Sequence, residues 1–219
     1  MIFSVGLFCV AILCFALLIT ISFALYKKRN DSDYSIKNSF PFELNYNSEI
    51  KENIYTHVFL ALFVVVTCGF YVLYETSYSD GILLIAVIGG TLATLAIYSL
   101  FYISLYRYKM HIVVASIAVA LTLGAVSSSV VIAIRMVNQM IKVTTVISLV
   151  ISSCLALAIL FIIFNPRLTG DIRKMEVAKD NGEVEYVRPK WIALAFSEWL
   201  LIIINILNML SLLILKFGM

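Results

Sequence analysis

Residues 191–215 read WIALAFSEWLLIIINILNMLSLLIL, 25 residues with Glu198 as the single ionisable acid or base. A helix rises about 1.5 Å per residue and the hydrocarbon core of a bilayer is about 30 Å thick, so this stretch is long enough to cross as a helix. Five earlier runs, 2–25, 54–74, 81–106, 110–134 and 143–164, contain no Asp, Glu, Lys or Arg at all and are 21 to 26 residues long. Stretches such as 200–206 and 113–120 do not alternate polar with apolar, which excludes the strands of a transmembrane barrel. The expected fold is an all-α membrane protein, a single polytopic domain of six transmembrane helices.

Composition agrees. Of 219 residues, 62% are hydrophobic and 13% charged, against about 45–50% and about 25% in soluble domains, and the mean hydropathy is +1.01. The chain has too little polar surface to cover a water-soluble globule, and the lipid bilayer is its expected solvent. The first run has no basic segment before it and is followed by Lys27, Lys28 and Arg29, so it reads as a retained span rather than a cleaved signal peptide.

All 16 Lys and Arg fall outside the six runs, and 13 of them lie in the connections after the first, third and fifth. The positive-inside bias therefore places those connections in the cytoplasm and both termini outside. Arg135 and Lys142, between the fourth and fifth runs, oppose that bias mildly. A wealth of Ile, Lys and Asn with no sorting signal suits a bacterial plasma membrane.

The two long connections, 26–53 and 165–190, are too short to bury a core of their own and hold no Cys, which excludes a soluble catalytic domain. In the second, alternating segments around Asp180, Asn181 and Gly182 predict a short β-hairpin. In the first, Phe40, Pro41, Phe42, Glu43 and Leu44 form an amphipathic piece expected to lie along the lipid headgroups. A net charge of +3 without a basic stripe or aromatic RNA-binding motif argues against nucleic acid as a partner.

Cys9, Cys14, Cys68 and Cys154 all lie within spans, without Cys-x-x-Cys spacing, and read as small apolar residues. His57 and Cys68 are about 16 Å apart along one helix, too far for a nucleophile and its base. No phosphate loop, His-Glu-x-x-His or Gly-x-Ser-x-Gly motif occurs, and no cofactor or metal is expected.

Small residues recur every fourth position at Ser116, Ala120, Gly124 and Ser128 and again at Thr144, Ser148, Ser152 and Ala156. Helices in lipid approach closely through such stripes, so the fourth and fifth spans are expected to pair with these faces together, and Gly124→Leu is expected to disturb them. Gly89 with Ala93, and Gly90 with Thr94, add shorter pairs in the third span.

Glu198 lies about 10 Å inside the interface and must face protein or water, since an acid at a span centre costs about 2.5–3.5 kcal/mol to insert. Asn205 and Asn208 continue its face. His57, Tyr102, Tyr106 and His111 fall at the same depth, so the candidate functional cluster is Glu198, Asn205, Asn208, His57, His111 and Tyr102, an assembly of titratable groups suited to proton coupling. Tyr106, Tyr108 and Trp191 read as interfacial anchors. Three functions fit: a non-enzymatic subunit that docks a protein partner or a second copy in a membrane complex, a small proton-coupled transporter or channel using the sixth-span stripe, and an intramembrane enzyme with Glu198 and a His as acid and base. The enzyme reading requires those two groups within about 3 Å of each other or of a shared substrate atom.

Overall fold

The computed structural model of the protein describes residues 2–44, 53–75, 81–103, 108–168, 176–178, 184–186 and 190–218. Within lipid every backbone N–H and C=O must be satisfied inside its own segment, and the uncharged runs accordingly form helices. These are α1 (Ile2–Asn30), α2 (Ile54–Glu75), α3 (Gly81–Leu100), α4 (Tyr108–Gln139), α5 (Val143–Ile163) and α6 (Ala193–Gly218). All six are long and apolar enough to cross a membrane, which makes this a multi-pass membrane protein.

Helix α1 outlasts its uncharged run by five residues. It stops where Asp31 adopts a left-handed backbone (φ 49°), a conformation that ends helices and that Asp tolerates better than most side chains. Helix α4 likewise runs on to Gln139, leaving only 140–142 to turn the chain into α5. In the second long connection Glu176–Ala178 (β1) and Val184–Tyr186 (β2) pair antiparallel, with Glu176 opposite Tyr186 and Ala178 opposite Val184. The expected turn at Asp180, Asn181 and Gly182 lies outside the described residues.

Helix α6 is the hub. It touches α1, α3, α4 and α5, and receives side chains from α2; it is also the most buried of the six. The others follow one another around it, each packed on its predecessor. Helix α3 packs closely on α4, where a Cβ added at Gly89 would stand 3.3 Å from the Ala125 nitrogen.

Two expectations are overturned here. The small-residue stripes of α4 and α5 do not face one another. Ser148 and Ser152 are buried against Ser211 of α6, whereas Ser116, Ala120 and Gly124 are exposed on the outside of α4, and nothing lies within 4 Å of a Cβ built at Gly124. The stripe on α5 serves the hub helix instead, where Ser211 of α6 bonds the hydroxyls of both Ser148 and Ser152.

The segment from Phe40 to Leu44 does not lie along the headgroups. Pro41–Leu44 forms one turn of 3-10 helix, and Phe40, Phe42 and Leu44 are all buried, with Phe40 fully so. Phe40 and Phe42 join Ile192, Leu194 and Ala195 in a satellite apolar cluster beneath the start of α6. Hydropathy registers that a side chain avoids water, and here the apolar surroundings are protein.

Candidate functional site

The segment 39–44 is held in place from three directions. Arg29, in the last turn of α1, donates to the carbonyls of Glu43 and Leu44 at 3.3 and 3.1 Å. The Glu43 carboxylate accepts the Phe40 N–H at 3.0 Å and closes the small turn. From α6, the Trp199 indole N–H reaches both the Tyr34 hydroxyl and the Ser39 carbonyl at 3.0 Å. The Tyr34 hydroxyl in turn donates to the carbonyls of Ser39 and Phe40. Tyr34 lies outside the spans, and its burial pushes the phenol well above its ordinary value, so the hydroxyl keeps the proton these bonds require.

Behind this plug lies the one described ion pair inside the membrane region. His111 Nε2 is 2.6 Å from Glu198 Oε1, with the side chains 0% and 1% exposed. His111 Nδ1 is 2.7 Å from the Ile103 carbonyl. A carbonyl oxygen can only accept, so Nδ1 carries a proton, which leaves one proton to share between Nε2 and Oε1. Whether the pair is imidazolium and carboxylate or imidazole and carboxylic acid, its net charge is zero, the condition under which two ionisable groups can be buried together. The rings of Phe40 and Phe42 both stand edge-on to the imidazole, at 5.9 Å. Trp199, the residue after Glu198, is packed edge-on by Phe101 and Phe23. Glu198 Oε2 is buried and has no hydrogen-bond partner among the described residues.

The remaining expected members do not join this pair. His57 Nδ1 takes the Tyr102 hydroxyl at 2.9 Å, the two rings stacked at 15°, so these residues of α2 and of the turn after α3 satisfy one another. Either histidine was a plausible partner by depth, and the choice rests on rotation about the helix axis. Tyr106 lies outside the described residues.

Asn205 and Asn208 build a second network deeper in the bundle. The Tyr71 hydroxyl donates to Asn205 Oδ1 at 2.9 Å, Asn205 Nδ2 donates to Thr94 Oγ1 at 2.9 Å, and Asn208 Nδ2 approaches the Tyr71 hydroxyl at 3.4 Å. Gly90 makes room for this, since a Cβ there would lie 2.4 Å from two atoms of the Tyr71 ring. One to two turns further along α6, Ser211 bonds the hydroxyls of Ser148 and Ser152 at 2.9 and 2.7 Å. The stripe on α6 is therefore three separate sets of contacts, to α4, to α2 with α3, and to α5.

Sequence reasoning missed Tyr71, Trp199, Tyr34 and Ser211. Ser211 was within reach, three residues beyond Asn208 in the same span; a lone Tyr or Trp in an apolar run gives no comparable signal.

Comparison with family models, curated proteins and solved structures found no match to this chain. The chemistry must therefore be read from geometry. His111 and Glu198 meet the distance needed for an acid and base pair, yet both are closed off by protein. Two cavities at this end, one beside Leu25, Lys28 and Arg29 and one between α5 and α6, are lined by neither residue.

Proposed function

We propose that this protein is a non-enzymatic membrane subunit that docks a partner protein or a second copy of itself within a membrane complex. What supports this reading is how α6 uses its polar side chains. Asn205 is bonded on both sides to Tyr71 and Thr94, Ser211 is bonded to Ser148 and Ser152, and Glu198 is bonded to His111. These groups hold helices together, whereas a solute path or a reaction centre would turn them toward a cavity. Small residues at Ser116, Ala120 and Gly124 on the outer face of α4 are where another helix could come close. The distribution of basic residues supports an orientation with both termini outside and the two long connections in the cytoplasm, and the wealth of Ile, Lys and Asn supports a bacterial plasma membrane as the setting.

The test is a photoreactive amino acid placed at Gly124 and, as a control, at the exposed Leu157 of α5, irradiated in native membranes. Docking through α4 yields one protein adduct of defined mass from position 124 and none from 157. The absence of any protein adduct from 124, in a chain that purifies alone, refutes it.

A second reading, proton-coupled transport, is favoured by the shared proton of His111 and Glu198 and by Glu198 Oε2, which has no partner among the described residues. On this reading Glu198→Gln folds but abolishes dissipation of a pH gradient in proteoliposomes. Equal rates for the variant and the parent return the pair to a structural role.

A further inference from the structure

At the end of the bundle that holds the plug, a cavity of about 290 Å³ opens between the end of α5 and the start of α6. Its inner wall is apolar, formed by Phe161, Phe196 and Leu200, and its mouth carries Asn165, Arg167 and Trp191. No acidic side chain lines it among the described residues. Pro166 sits just after α5, so the chain leaves the helix there and Asn165 and Arg167 stand at the rim of the spanning region. Trp191 is half exposed and packs its ring 5.1 Å from Phe196, the arrangement of an aromatic residue at the level of lipid headgroups.

We propose that this cavity binds one anionic glycerophospholipid from the adjoining leaflet. The gradient of chemistry along the cavity matches such a molecule. A guanidinium holds a phosphate through two parallel hydrogen bonds, which makes Arg167 the anchor of the headgroup. Asn165 and the buried hydroxyl of Ser197 supply uncharged polar groups, and Phe161 and Leu200 continue the cavity into hydrocarbon, where an acyl chain would lie. The volume is that of roughly ten waters, at about 30 Å³ each, enough for a glycerophosphate group and the first carbons of a chain. Arg167 is the one charged side chain lining the cavity among the described residues, and a lone cation there favours an anionic headgroup over a zwitterionic one, a basic residue near an anionic leaflet contributing about 1 kcal/mol. This inference needs only that the helices span a bilayer and stands apart from the docking of a protein partner.

The experiment is native mass spectrometry of the full chain released from phosphatidylcholine nanodiscs doped with phosphatidylglycerol. The parent, Arg167→Gln, and Lys142→Gln at the opposite end are compared, and matched melting curves confirm that all three are folded. The expected result is one retained phosphatidylglycerol on the parent and on Lys142→Gln, with occupancy at least five-fold lower on Arg167→Gln and no comparable retention of phosphatidylcholine. Equal occupancy on Arg167→Gln, equal retention of phosphatidylcholine, or displacement of the lipid by millimolar soluble glycerol phosphate would each overturn it.

Discussion

Replacing His111 with Leu removes the only described partner of a carboxyl group that is 1% exposed. Glu198 must then either hold an uncompensated charge or take up a proton and lose its short bond at Oε1, while the Ile103 carbonyl loses the Nδ1 donor at 2.7 Å. Breaking a buried pair from one side costs about 3–5 kcal/mol. Glu198→Leu leaves a neutral imidazole with an unbonded Nε2, a loss of about 1–3 kcal/mol. In the double variant no charge remains, and only the Ile103 carbonyl lacks its donor, so the expected loss is again about 1–3 kcal/mol. If the two sites were independent, the double variant would lose the sum of the single losses, about 4–8 kcal/mol. The coupling in favour of the pair, the sum less the loss in the double variant, is therefore expected to be about 4 kcal/mol and no less than about 1 kcal/mol. Unfolding of all four proteins in one detergent, by heat or by titrated denaturing detergent, measures it. A double variant within about 0.5 kcal/mol of the additive sum would refute the shared-proton description of the site.

Gly90→Ala drives a methyl group into the buried Tyr71 ring and is expected to cost about 1–3 kcal/mol by thermal unfolding, whereas Gly124→Leu, on an open face, leaves the stability of the isolated chain unchanged. Ser211→Ala removes the partner of two hydroxyls on α5, and a loss near 1 kcal/mol is expected, since hydrogen bonds between membrane helices average about 0.6 and reach about 1.7 kcal/mol. Tyr34→Phe deprives Trp199 and Phe40 of a partner, and faster hydrogen exchange at residues 39–44 is the expected readout. Because the folded phenol is raised above its unfolded value, the stability Tyr34 contributes is fully present below about pH 10 and is lost as pH rises toward the folded value, which tyrosinate absorbance followed alongside unfolding will show.

The six helices were legible because crossing hydrocarbon is a one-dimensional requirement, a run of about 20 apolar residues with little or no charge, which 143–164 meets with none and 191–215 with Glu198 alone. The need for Glu198 to find a protein partner was legible for the same reason, as a cost that one residue incurs by itself. What could not be read was which face meets which. Ser148 and Ser152 carry the right spacing for close packing, but the spacing holds no information on whether α4 or α6 lies opposite. Likewise Phe40 and Phe42 are apolar in a polar connection, and nothing local distinguishes burial in lipid from burial against His111. The choice between His57 and His111 depends on rotations of separate helices, which only the assembled bundle fixes.

The helix around which the others assemble is the last of the six to be synthesised. From the end of α5 to the middle of α6 is about forty residues, several seconds of translation at about 5–20 residues per second. For that interval Tyr71, Ser148, Ser152 and His111 face a vacancy, and the nascent five-helix intermediate must be tolerated by the insertion machinery or shielded by a chaperone. A ribosome stalled before residue 193 would leave a product with five spans threaded and no centre, a natural substrate for membrane quality-control proteases.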